Sequence, residues 1–227
     1  MRNLRVMSSL VEQLYSSPTL PEELEELSRM LMEERGRRLE FYADITPEHK
    51  WEFINGQVIL HSPALNRHLF ACERLTNLLR NFVAINRLGV VHTEKAMCSF
   101  PRNDYEPDIV FFGITKAGVF GPDTLRFPVP DFIVEILSPS TEERDRGIKM
   151  RDYALHGVGE YWIIDPEAET VEQHFLAGDI YPAAPRRSDG TLMSKAVAGF
   201  EIPVRAIFDE AENLRTLKNL LDPLGNL

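Results

Sequence analysis

Two acidic residues in this sequence stand where acids are costly. In segment 131–137 side chains alternate, so Ile133, Glu135 and Leu137 share one strand face while Phe132, Val134 and Ile136 take the other. Both faces are apolar, the mark of an interior strand, and Glu135 is the exception. Segment 107–113 repeats the pattern: Asp108 shares its face with Val110 and Phe112, opposite Ile109 and Phe111. A carboxylate in such a place costs several kcal/mol unless a partner or metal compensates it. Two readings are open. Each acid is a strand-end residue paired to Arg or Lys, or the strands are neighbours and the carboxylates converge on one cation. Carboxylate-plus-water coordination suits Mg²⁺. Lys149 lies in the helix that follows. Asp145 four residues earlier offers it a plain alternative, a surface pair of about 0.3–0.5 kcal/mol.

The elements that must position these groups are legible in outline. Residues 1 to about 38 read as charged helix, with a capping box at Thr19 and Glu22 and Pro21 in the first turn. Leu24, Leu27 and Leu31 form an apolar stripe there, expected to face the chain's own core, with docking or dimerisation as the alternative. Segment 50–60 reads as a hairpin turning at Asn55-Gly56, a dipeptide suited to positive φ. Asn66 is a candidate cap for a helix carrying Leu69, Cys72, Leu75, Leu79 and Phe82. Strands are expected over 90–100, 107–113 and 131–137, with a loop over 116–130 between the last two. A charged helix over 142–156 should stop at Gly157, and a second hairpin follows around Asp165-Pro166. Residues 178–194 read as irregular, and a short helix closes the chain. A helix between the last two strands of the central run permits a parallel crossover. The expected class is therefore α/β: a mixed β-sheet flanked by helices, with an N-terminal helical extension.

Composition bounds the function. The chain has 227 residues, 44% hydrophobic and 26% charged, as a globular protein does. Its two cysteines, Cys72 and Cys98, lie in apolar stretches and fit a reduced, cytoplasmic protein better than a disulfide framework. No apolar run is long enough for a membrane span, and the N-terminus is too polar for a secretory signal. A net charge of -10 argues against coating nucleic acid by bulk charge, although a local cationic surface would suffice for a site-specific hydrolase.

Residues 134–166, VEILSPSTEERDRGIKMRDYALHGVGEYWIIDP, resemble the signature of the bacterial Uma family of restriction endonucleases, a branch of the PD-(D/E)XK nuclease superfamily. WEFINGQV, SPALNRH, EPDIVFFG and GFEIPVRAIF agree in order, so the likeness spans about residues 39–210. It implies a restriction-endonuclease-like core over 39–210, an extension over 1–38 and a C-terminal helix and tail over 211–227. It also implies that Asp108 and Glu135, with the carbonyl of Ile136, hold Mg²⁺ or Mn²⁺. In the wider superfamily a lysine stands two residues after the second acid, but here that slot is Leu137. The branch matches the lysine to Lys149 instead, and this favours a catalytic role over the surface pair.

By the same likeness Glu52 and His68 are further site candidates, set against an exposed strand acid and a capping histidine. Glu73 stands where the superfamily often carries an acid. Arg144 and Arg146, with Arg151, are candidates for a phosphate-binding face, offset by the acids around them. Tyr153, Tyr161 and Trp162 are expected to pack. The implied activity is metal-dependent hydrolysis of DNA, by a homodimer, since cutting both strands commonly takes two symmetric sites. Its alternatives are a binding protein on the same fold without cleavage, and a hydrolase of RNA or another phosphodiester.

Overall fold

In the computed structural model, which describes residues 9–46, 48 and 50–221, the two acid-bearing segments lie side by side. The N-terminal helices are α1 (Ser9–Tyr15) and α2 (Leu20–Asp44), followed by the hairpin β1 (Trp51–Ile54) and β2 (Gln57–Leu60). Then come α3 (Asn66–Ile85), β3 (Gly89–Thr93), β4 (Met97–Ser99), β5 (Asp104–Tyr105), β6 (Ile109–Gly113), the short α4 (Ile114–Ala117), β7 (Arg126–Phe127) and β8 (Phe132–Ile136). A helical run of α5 (Glu142–Arg144), a π-helical turn (Asp145–Lys149) and α6 (Met150–Leu155) leads to β9 (Glu160–Asp165) and β10 (Thr170–Phe175). The chain ends in β11 (Arg186–Arg187), β12 (Thr191–Met193), β13 (Glu201–Pro203), α7 (Arg205–Phe208) and α8 (Glu210–Leu221).

The central sheet has the order β11-β10-β9-β8-β6-β3. Only β8 and β9 pair in parallel within it, joined by the crossover through α5 and α6, so the sheet is mixed as expected. Its two faces have different covers. Leu75, Leu78 and Leu79 of α3 and Ile207 of α7 pack on Phe111, Val134 and Trp162. On the other face Tyr105, Cys98 and Tyr153 pack on Val110, Ile133 and Tyr161. That second cover includes a five-stranded sheet, β2-β1-β5-β4-β7, which strand periodicity alone did not separate from the first. The expected strand over 90–100 is broken at Glu94. Its φ of 57 lies in the left-handed region, which turns the chain out of the central sheet after β3 and lets β4 enter the second. The expected loop over 116–130 contributes β7, and the segment read as irregular contributes β11 and β12.

The helix ends differ from expectation in detail. Thr19 precedes α2 but its side chain caps no backbone N–H; its hydroxyl donates to Glu23 Oε1 at 3.0 Å, and Pro21 sits in the first turn as expected. Asn66 is the first helical residue of α3, with Leu65 at the cap. Gly157 follows α6 at φ +82, and the N–H of Val158 closes the end on Tyr153 O at 3.0 Å. The boundary expected at residue 38 falls inside α2. Arg38 of that helix reaches Asp104 Oδ2 at 2.6 Å and the carbonyls of Phe100, Pro101 and Asn103, while Phe41 is buried against Phe53. The first half of α2 stays out: Leu24, Leu27 and Leu31 are 45–48% exposed, so the stripe does not face this chain's core. Residues 1–8 of the expected extension and 222–227 of the expected tail lie outside the described residues. No helix among the described residues is long and apolar enough to cross a membrane.

Candidate active site

Register brings the two acids together. Ile109 pairs with Val134 across β6 and β8, and one further step sets Asp108 opposite Glu135. Both side chains follow the face of Val110 and Ile133, the face toward the second sheet, as alternation requires. The N–H of Ile136 donates to Asp108 Oδ2 at 2.8 Å, which ties the acid to the neighbouring strand. Lys50 donates to Asp108 Oδ1 at 3.0 Å, and His68 Nε2 lies 3.2 Å from Oδ2. Burial alone would raise the pKa of Asp108; His68, Lys50 and the Ile136 N–H outweigh it and hold the carboxyl well below the usual range.

Lys149 reaches the same centre from below. Its Nζ lies 3.0 Å from Glu135 Oε1, 3.0 Å from Glu52 Oε1 and 3.2 Å from Asp145 Oδ1. The expected pair with Asp145 therefore forms, but at the core: the two side chains are 2% and 1% exposed. A π turn carries them, and this wider turn is common where a helix is shaped around a site. Tyr153, expected only to pack, donates to Glu135 Oε1 at 2.8 Å. Tyr161 and Trp162 are buried packing residues as expected, their polar atoms bonded to Asp145 O and Glu160.

Glu52 is not the exposed strand acid that hairpin alternation allowed. It is fully buried, accepts from the N–H of Glu106 at 3.0 Å, and has His61 Nε2 at 3.1 Å. Burial works against its ionisation, yet Lys149 and His61 bring its pKa down to about 2. Glu135 goes the other way: burial lifts it to about 8 despite Lys149, with Asp145, Asp108 and Glu52 adding repulsion. Crowding adds to burial: Asp108, Glu135, Glu52 and Asp145 share two ammonium groups, Lys50 and Lys149, with His61 and His68 adding positive charge only when protonated.

Asp108, Glu135, Lys50 and Lys149 line a groove of about 920 Å³, whereas Glu52 and Asp145 do not reach it. Arg144 lines it, and its Nε is buried without a hydrogen-bond partner. Arg146 does not line it; its guanidinium is taken by Glu142 and by both oxygens of Glu172. Glu73 and Arg151 are exposed and outside the groove lining. Lys50, His61, Glu106 and Asp145 were missed as site residues. A faint signal existed for two: Lys50 lies two residues before Glu52 and Glu106 two before Asp108, each sharing a strand face with its neighbour.

The donors fit a hard divalent cation in kind. Asp108 and Glu135 are carboxylates at facing positions of neighbouring strands, and carboxylate oxygen is the donor such an ion takes. Among the described residues no three His, Cys, Asp or Glu side chains form a ready-made cage, so most coordination positions would fall to water or substrate oxygen.

The family model described as "Uma2: Putative restriction endonuclease" matches residues 32–205. The chain belongs to the Uma2 family. The matched span opens inside α2, just ahead of Arg38, and takes in every residue of the centre described above. A crystal structure described as a putative nuclease belonging to DUF820, from Anabaena variabilis ATCC 29413, is 20% identical to this Uma2 chain. The match covers 74% of this chain and 94% of that one, with a TM-score of 0.64; at that identity it shows the shared fold. No curated protein matches the chain. Family and fold together support a nuclease.

Proposed function

We propose that this chain is a divalent-metal-dependent endonuclease that hydrolyses DNA phosphodiester bonds, with Asp108, Glu135 and Lys149 at its centre. The observation that carries the reading is the placement of Asp108 opposite Glu135 in the lining of an open groove, where buried carboxylates outnumber the ammonium groups beside them. Asp108, Glu135 and the carbonyl of Ile136 would hold Mg²⁺ or Mn²⁺. When bound, the ion supplies Lewis acidity at the scissile phosphate and lowers the pKa of the attacking water.

The chain's own residues have separable roles. The N–H of Ile136 orients Asp108, and Lys149 with Tyr153 fixes Glu135 Oε1, so both acids are set before substrate arrives. Arg144 contributes positive charge to the groove wall where a phosphate chain would pass. A homodimer is the assembly proposed for double-strand cleavage, since two centres related by symmetry can address the two strands.

The test incubates plasmid, linear DNA and RNA with protein in Mg²⁺ or Mn²⁺. DNA cleavage by the wild type is expected, lost on chelation and lost in Asp108→Ala. Cleavage that persists unchanged in Asp108→Ala would defeat the proposal, and cleavage of RNA alone would correct its substrate.

A further inference from the structure

Two lysines approach the acids, and their surroundings differ. An ammonium group has three N–H donors. Lys149 has Glu52, Glu135 and Asp145 within 3.2 Å, and its side chain is 2% exposed. Nζ donates to Glu135 Oε1 and is ion-paired with Glu52 and Asp145, so a phosphate oxygen could reach it only by entering among three carboxylates that repel it. Removing any such contact would leave a buried acid without its counter-charge.

Lys50 stands at the groove side of the same cluster. It immediately precedes β1 and, although both lysines line the groove, it keeps 22% of its side chain exposed against 2% for Lys149. Among the described residues its one carboxylate contact is Asp108 Oδ1 at 3.0 Å. That oxygen belongs to an acid placed to face the scissile phosphate. Asp108 has His68 and the Ile136 N–H besides, so Lys50 can turn toward a substrate oxygen without stranding it.

We propose that Lys50, rather than Lys149, is the ammonium group that touches the scissile phosphate, and that Lys149 is a positioning residue for Glu135 and Glu52. The assignment rests on the nuclease reading above. Lys50 donates a hydrogen bond to a non-bridging oxygen and opposes the charge that develops there; it gives up no proton.

The experiment is single-turnover cleavage of a labelled duplex, with protein saturating, in Mg²⁺ or Mn²⁺. Lys50→Ala should cut about 10²–10³-fold more slowly at saturation, the usual cost of one transition-state donor, with a melting temperature near wild type. Lys50→Gln, which keeps a donor for Asp108 without the charge, should show the same loss if the alanine variant folds poorly. Added methylamine should restore part of the Lys50→Ala rate, because the vacated position opens to the groove. Lys149→Ala should melt at lower temperature and gain nothing from the amine.

Wild-type rates in both Lys50 variants, with the wild type active, would overturn the Lys50 assignment alone. So would a loss that neither methylamine nor Lys50→Arg recovers, or amine rescue of a well-folded Lys149→Ala. A wild type inactive on every nucleic acid would overturn the nuclease reading and this assignment with it.

Discussion

At the scale of single residues the centre is a problem in charge. One buried ammonium, Lys149, serves three acids, and their responses differ because their other neighbours differ. Glu52 has His61 and a backbone N–H and stays ionised; Glu135 and Asp145 are pushed up by burial despite Lys149. Glu106 joins the second group. Burial, with repulsion from Glu52, raises it to about 8, against the pull of Lys50. A folded-state pKa above the unfolded one means that the native state binds the proton more tightly. Its stabilisation is complete below the ordinary carboxyl value near 4.5 and is lost as pH rises through about 8. Unfolding free energy from urea titrations should therefore fall between about pH 5 and pH 8. Glu106→Gln should remove roughly 1–3 kcal/mol of that fall, leaving the share that Glu135 contributes with the same sign. A slope identical in the variant would show that Glu106 titrates normally.

At the scale of elements, the site depends on strand ends meeting in register and on a helix shaped to pass beneath them. The β6–β8 ladder sets the acids, and β3 guards its outer edge. Gly89 opens β3 at φ +151, paired with Gly113, and an added Cβ would stand 2.0 Å from the carbonyl oxygen of Phe112. Only a shift of the β3 backbone could relieve that contact. Gly89→Ala should cost about 2 kcal/mol or more, seen as a fall in melting temperature of roughly 5 °C or more. A variant that melts with the wild type would mean that this edge yields freely. The π turn plays the complementary part. It keeps Asp145 and Lys149 together while α6 continues to Tyr153, so one helical run supplies both contacts to Glu135.

At the scale of the molecule, a chain of net charge -10 with an acid-rich groove should repel a phosphate backbone until a cation intervenes. Duplex affinity, followed by fluorescence anisotropy at fixed ionic strength, should rise roughly tenfold or more when Ca²⁺ replaces EDTA. The double variant Asp108→Asn, Glu135→Gln should bind in EDTA better than wild type and lose most of the Ca²⁺ effect. Equal wild-type affinity with and without the divalent ion would place DNA elsewhere on the surface.

The sequence by itself determined which strands carry acids on an apolar face, and that a helix between β8 and β9 permits the parallel pairing they adopt. Those features follow from periods of two and near four residues, which are local. It also carried the family likeness, which led to Glu52, His68 and Lys149. What lies across from a face is not local. Only the tertiary structure decided that Glu52 and the Asp145–Lys149 pair are buried, because the second sheet and the turn beneath it exclude water from positions that alternation leaves open. Only it decided that the Leu24–Leu31 stripe stays exposed, since α2 docks through Arg38 and Phe41 instead. And only it set Lys50 against Asp108, 58 residues apart along the chain, in the groove lining with 22% of its side chain exposed.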